Sequence, residues 1–315
     1  MKTGLSIIVL LFIGINGFAQ DQGGGFEVLG IAPTPFSLSK AEATTSISEG
    51  AASIYSNPAL LAMNKSSSID LGYSFWIANV NNIFGGVNFK NDRSAIAFSF
   101  YTSGASDYEQ RNQPGDPNGT FSIQHISIAA AYAYDFNYFS LGGAFQYLNE
   151  ENWTYRANGY AFNLGIAGDF LEERVRAGAS FSNLGEMGKL NLDATPLPAN
   201  FKIGTSADVF ELSAENNSDL PILFSVYADY VVPLKETNDK DYADYSASDP
   251  YINFGLSFTI AKALQISGGY KTGNNVRPVS FGAGFSTNEV TFNYALIPFN
   301  TGYGTVHSIG IQYKF

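Results

Sequence analysis

The sequence has no cysteine, only two histidines and few charges: Asp, Glu, Lys and Arg make up 14% of its 315 residues. Without cysteine there are no disulfides, no thiol chemistry and no Cys-ligated zinc or iron–sulfur centre. Two histidines do not supply a His-rich metal site, so neither a cofactor nor a metal is expected. With 17 Lys+Arg against 28 Asp+Glu the net charge is −11. That balance excludes a nucleic-acid binder, whose basic side chains must displace counterions from phosphates. After residue 20 no apolar run approaches the roughly 20 residues of a membrane helix, which excludes a helical membrane protein. Soluble domains carry about a quarter charged residues. The shortfall here, with 15% aromatics, means that much of the surface does not face water.

What is present begins with a leader. Lys2 precedes an apolar run from Leu5 to Ile15, and Gly17 and Ala19 stand at −3 and −1 of a cut before Gln20. This is the order of a secretory signal peptide, so residues 1–19 read as a leader cleaved after Ala19. From residue 67 to 315 the dominant period is two. In Ile252 to Ile260 every even position is large and apolar, and every odd one is small or polar. Val279 to Ser286 and Val290 to Leu296 alternate in the same way. The second face is Gly, Ser, Asn and Thr rather than Lys and Glu, the combination expected of a membrane barrel with lipid outside and a polar lumen.

Fourteen strands are predicted, at 67–79, 82–90, 93–104, 121–134, 137–149, 154–170, 173–183, 199–213, 221–234, 250–260, 263–273, 277–286, 289–298 and 305–315. The links alternate in length. Asn91-Asp92, Asp135-Phe136, Leu171-Glu172, Ala261-Lys262 and Thr287-Asn288 are tight, whereas 105–120, 184–198 and 235–249 are long and all fall on the opposite parity. The link 214–220 is longer than a tight turn and fits this scheme less well. Short periplasmic turns and longer external loops are the rule for such barrels. The expected fold is therefore all-β, a transmembrane antiparallel barrel of about 14 strands in the outer membrane of a Gram-negative bacterium, with outer-membrane lipid around it. A soluble sandwich would place charged residues on its outer faces.

Residues 20–66 lack the alternation and are expected to be a partly helical, plug-like segment in or under the lumen. Ser37 to Ala43 suggests a short helix capped by Ser39, with Glu42 three residues on completing a capping box. Asn57-Pro58 signals a helix entry with Pro58 at its first position.

The phrase Ala52-Ser53-Ile54-Tyr55-Ser56-Asn57-Pro58-Ala59-Leu60-Leu61-Ala62 resembles the NPA element of FadL-like outer-membrane barrels, and within that group the PorV/PorQ family of the type IX secretion system. Phe292 to Phe299, then Gly302 and His307 to Gly310, is similar to that family's closing pattern. The chain departs from the family upstream of the NPA element, where Ala41 to Gly50 lacks the usual paired glycines. The resemblance implies a non-enzymatic barrel that acts in secretion or surface attachment of cargo, with type IX components and cargo C-terminal domains as partners. It implies a structural role for Tyr55, Asn57, Pro58, Ala59 and Leu60. The C-terminal alternation to Tyr313 and Phe315 resembles the insertion signal of outer-membrane barrels.

Two other readings remain. A FadL-like transporter of hydrophobic small molecules needs an apolar pocket and a side opening, for which a kink near Gly85-Gly86 or Gly142-Gly143 is a candidate; the same glycines also suit bulges. A surface lipid hydrolase would rest on His125 and Ser127, which share a face of one strand without an acidic neighbour on it. His307 and Ser308 are adjacent and point to opposite faces. Asp116-Pro117-Asn118-Gly119 reads as a turn. Glu236 to Asp249 reads as a solvated acidic loop, or a contact for a partner or divalent ion.

Overall fold

The computed structural model describes residues 26–111, 115–212, 221–234, 249–300 and 302–315. Fourteen antiparallel strands, each paired with its sequence neighbour, close into a barrel when β1 (Ser68–Phe75) meets β14 (Thr305–Lys314). Between them run β2 (Asn81–Asn91), β3 (Ser94–Gln110), β4 (Gly119–Asp135), β5 (Ser140–Asn152), β6 (Tyr155–Phe170) and β7 (Val175–Met187). The circuit continues through β8 (Asn200–Leu212), β9 (Ile222–Pro233), β10 (Tyr251–Ile260), β11 (Leu264–Lys271), β12 (Val279–Ser286) and β13 (Val290–Pro298).

The period of two sorts side chains between the two faces of this wall. On β10, Phe254, Leu256 and Phe258 project outward and are exposed, while Asn253 and Ser257 are buried in the lumen. The same division holds on β1, where Ile69, Leu71 and Phe75 face out and Ser68, Asp70 and Ser74 face in. An apolar belt of this extent around a closed barrel is covered only by lipid. The fold is that of an outer-membrane β-barrel. The tight turns lie at the end that holds the start of β1 and the end of β14, which by the length rule is the periplasmic mouth.

Three departures from the expected spans carry information. First, β3 and β4 reach into the expected loop 105–120, as far as Gln110 and from Gly119, with a bulge between Ala105 and Tyr108. Second, β7 continues to Met187 against β6, but its pairing with β8 ends at Ser182 opposite Asn200. The connection that follows turns into the lumen: Leu197 is buried, and Pro196 O accepts a hydrogen bond from Phe26 N at 3.2 Å. Its C-terminal part thus rests on the plug, while its tip at Asn191 to Ala194 stays exposed. Third, the expected loops 214–220 and 235–249 and the leader 1–19 lie outside the described residues, apart from Asp249.

Residues 26–67 fill the lumen as a plug made of single helical turns. The helix after Thr34 is Pro35–Leu38, with Thr34 as its cap, accepting from Ser37 N at 3.4 Å. Ser39 is the C-cap of that turn and not the N-cap of a following helix. Glu42 makes no capping box because ion pairs with the wall take its carboxylate.

Candidate functional site in the barrel lumen

The phrase around Asn57 seats the plug on β5, β6 and β7. Asn57 caps the 3-10 turn Pro58–Leu61, accepting from Ala59 N at 3.1 Å. Its amide donates to Thr45 O at 2.9 Å and to Ile166 O at 3.0 Å, tying plug to plug and plug to wall. Three wall glycines admit this approach. A Cβ on Gly142 would lie 2.4 Å from the Pro58 carbonyl carbon, and one on Gly165 or Gly178 would collide with the Asn57 amide. Gly142 and Gly165 are cross-strand partners, so the recess is a local thinning of the wall. Leu60 and Ala59 pack beside it against Ala167. Tyr55 points the other way and shares hydrogen bonds with Ser127 Oγ at 3.2 Å and Ser99 Oγ at 3.3 Å.

Above this recess the lumen is apolar. Phe26, Val28 and Leu29 of the plug pack with Phe84 of β2, Tyr101 of β3, Leu148 of β5, Met187 of β7 and Leu197 of the inward loop. Phe84 and Tyr101 meet Tyr55 edge to face, at 6.2 and 5.7 Å between centroids. A second apolar cluster lies on β13 and β14, where Leu38 of the plug packs against Ala295, Ile297 and Val306.

The opposite side of the lumen is ionic. Glu42 binds Lys271 Nζ at 2.7 Å and Arg277 Nη1 at 2.9 Å. Burial would raise its pKa, but these two cations outweigh that and hold the carboxyl well below its ordinary range. Ala41 and Glu42 both adopt left-handed backbone, φ 51° and 65°, an uncommon and strained conformation for such residues. The ion pairs keep the turn in place. Nearby, Thr45 donates through N and Oγ1 to Asp229 Oδ2 at 2.9 and 2.7 Å. Burial pulls the Lys40 ammonium down to about 7 against the pull of Glu49. It rests 3.6 Å over the Phe36 ring and bonds Gln265 at 3.2 Å. Burial pushes Glu49 up to about 7, with Asp70 adding to the rise and Thr34 and Lys40 opposing it.

His125 and Ser127 do not form a nucleophilic pair. His125 Nε2 meets Glu150 Oε1 of β5 at 3.3 Å, so an acidic partner exists on the neighbouring strand. Ser127 Oγ, however, donates to Gln146 at 3.0 Å and is fully buried. His307 faces outward against the Tyr294 hydroxyl at 2.7 Å. Among the described residues no group of three or more His, Cys, Asp or Glu could hold a metal ion. Tyr313 and Phe315 lie stacked on the outer face of the final strand and beyond it, 6.2 Å apart.

Side openings are not at the glycine pairs. Gly85 and Gly86 lie within an unbroken ladder to β3, and Gly142 and Gly143 within unbroken ladders to β4 and β6. Nor are these residues bulges. Gly85 accommodates the Phe100 ring, and Gly86 and Gly142 accommodate the plug.

No known family model matches the sequence, and no curated protein matches it. Solved structures do. The CymD monoaromatic hydrocarbon channel superposes with a TM-score of 0.58 at 13% identity, over 92% of this chain and 99% of that one. The toluene transporter TbuX of Ralstonia pickettii gives 0.56 at 12% identity, over 92% and 100%. A FadL homologue of Pseudomonas aeruginosa gives 0.54 at 10% identity, over 93% and 100%. Identities this low establish the fold alone, a FadL-like fourteen-stranded outer-membrane barrel with a short helical segment in its lumen.

Proposed function

We propose that the chain is a non-enzymatic channel for small hydrophobic molecules, gated by residues 26–66. The observation that carries this reading is the apolar patch formed by Phe84, Tyr101, Leu148 and Met187 on the lumen wall. A hydrophobic ligand needs such a lining, and Phe26, Val28 and Leu29 occupy it here as a ligand would. Beside Met187 the ladder between β7 and β8 has run out, which offers a side exit next to the patch. The two proteins named above that share the fold are a monoaromatic hydrocarbon channel and a toluene transporter. The test is uptake of radiolabelled toluene by a host lacking its own channel for hydrophobic compounds. Uptake at least threefold above the empty host, reduced by Leu148→Asn, supports the reading. Empty-host levels for toluene, hexane and oleate alike would sink it.

A second reading is a PorV/PorQ-like role in type IX secretion, with secretion components and cargo C-terminal domains as partners. It is favoured by the Asn57 recess, where the phrase that resembles that family makes its hydrogen bonds to the plug and to β6. In this reading the lumen stays shut and the external loops do the work. The contact surfaces of this reading are 105–120, 184–198 and 235–249; in the second, Leu192 is exposed while Leu197 is buried against the plug. Comparing secreted and periplasmic proteomes of a deletion strain and its parent tests this: unchanged secretion removes the reading.

A further inference from the structure

The outward face of β5 and β6 changes character row by row. From the periplasmic end the cross-strand pairs are Leu141 with Ile166, Gly143 with Leu164 and Phe145 with Phe162. Then come Tyr147 with Tyr160, Asn149 with Asn158 and Glu151 with Arg156. The first three pairs belong to the apolar belt. Tyrosines mark the boundary between hydrocarbon and headgroups in such barrels, so the two polar pairs stand in the headgroup layer. From Tyr160 to Arg156 the strand climbs by roughly 13 Å of its own length. The far wall has no counterpart. There the outermost outward-facing pair of β10 with β11 is Phe254 with Tyr270, and the wall stops at its aromatic row.

The polar rows are fixed on one side and open on the other. Tyr147 and Asn149 donate to Asn158 Oδ1 at 2.9 and 2.8 Å, and Tyr160 donates to Glu186 Oε1 of β7 at 2.9 Å. Arg156 Nη2 donates to Glu151 Oε1 at 2.9 Å, yet the Arg156 side chain is 71% exposed. The Asn158 amide nitrogen, the Asn149 amide oxygen and the second Glu186 oxygen take no partner among the described residues. Asn158 and Glu186 are exposed and Asn149 is half-buried, and the Tyr147 and Tyr160 rings are exposed beside them.

Aromatic rings beside open amide, carboxylate and guanidinium groups suit a sugar. Its C–H faces pack on the rings, and its hydroxyls both donate to and accept from the planar groups. A phosphate suits the surface poorly, because these rows carry two carboxylates against one guanidinium that is already paired. The surface also continues the lipid-covered belt without a break in the ladder. The sugar nearest to it is therefore the one that the lipid of the outer leaflet carries.

We propose that this face of β5–β7 binds the core sugars of outer-leaflet lipopolysaccharide, whose acyl chains lie on the belt below. The site is on the outer wall and does not depend on what the lumen carries.

The test is native mass spectrometry of the full chain, folded in detergent micelles. It is titrated with lipopolysaccharide of complete core, with lipid A and with the acyl-free core oligosaccharide. The complete glycolipid should bind with a Kd at least tenfold below that of lipid A. Replacing both Asn149→Ala and Asn158→Ala should bring its affinity down to the lipid A value. The acyl-free oligosaccharide should bind at least tenfold more weakly than the complete glycolipid, since it leaves the belt uncovered. Equal affinity for lipid A and the complete glycolipid overturns the proposal, as does an unaltered affinity in the double variant. Oligosaccharide binding as tight as that of the glycolipid would assign the surface to a soluble glycan and overturn it too. Should the double variant lose heat-modifiable migration, Arg156→Ala with Glu186→Ala takes its place. That pair should weaken glycolipid binding at least threefold, and an unchanged value overturns the proposal.

Discussion

The plug meets two different walls. Toward β2–β7 it packs apolar groups against Phe84, Tyr101 and Leu148, and the hydrogen bonds there join uncharged groups, such as Asn57 to Ile166 O and Asn163 to Ile54 O. Toward β9–β14 it is fastened by charge: Glu42 to Lys271 and Arg277, Thr45 to Asp229, and Lys40 to Gln265. Apolar packing is non-directional and another apolar body can replace it. A buried ion pair is directional, and breaking it by removing one partner is severe. On the channel reading, the apolar side is where a ligand would substitute for the plug, and the ionic side helps to retain it. A gate built this way would hinge about its charged edge.

This contrast can be broken from either side. The largest effect is expected from Glu42→Ala, which strips the carboxylate from two cations in the lumen and should loosen the plug by about 3–5 kcal/mol. Hydrogen exchange should then show protection lost over 35–50 while the strands keep theirs. Equal loss in the strands would mean that the plug and the wall unfold as one. Asn57→Ala should have a smaller effect, about 2 kcal/mol, for three hydrogen bonds removed from the recess. It should appear first as protease sensitivity near 57–61, and a resistant variant would remove Asn57 from the account of the plug's seating.

The smallest effect concerns pH. The folded pKa of Glu49, about 7, stands above its ordinary 4.5. Its contribution to docking is therefore complete below pH 4.5 and declines as pH rises from there to about 7. Lys40, pulled down from 10.5 to about 7, contributes in the opposite sense only above pH 7. Glu42, held below its ordinary value, weakens docking only on acidification below about 4.5. Plug protection, corrected for intrinsic exchange, should thus fall more steeply between pH 4.5 and 7 in the parent protein than in Glu49→Gln. A parallel fall in both would assign the effect elsewhere.

The strands were legible because a bilayer outside and a polar lumen inside impose opposite demands on alternate residues, and that alternation is written into every strand from 68 to 314. The plug was less legible, since nothing periodic shapes it. Local capping logic chose Ser39 and Glu42, but a cation 229 residues away in sequence takes the Glu42 carboxylate. Lys40, Glu42 and Glu49 read as ordinary polar residues until the barrel encloses them. The wall side of the Asn57 recess left no signal of its own: Gly142, Gly165 and Gly178 sit on the lumen face, where small and polar residues are the rule, and only the barrel shows that they meet the plug. For His125 the reverse holds. The sequence shows no acid on its own strand, and register alone brings Glu150 across from β5.

Asp70 also bears on how the molecule is made. It lies on the first strand and bonds Gln312 of the last strand and the backbone of Ala51 in the plug. One carboxylate thus joins the seam that completes the circle to the part enclosed by it. The segment exported first is the scaffold on which the strand exported last is received. Closing the wall around its contents, as a cooper raises staves around a form, adds the Ala51 contact to a seam that the β1–β14 ladder aligns.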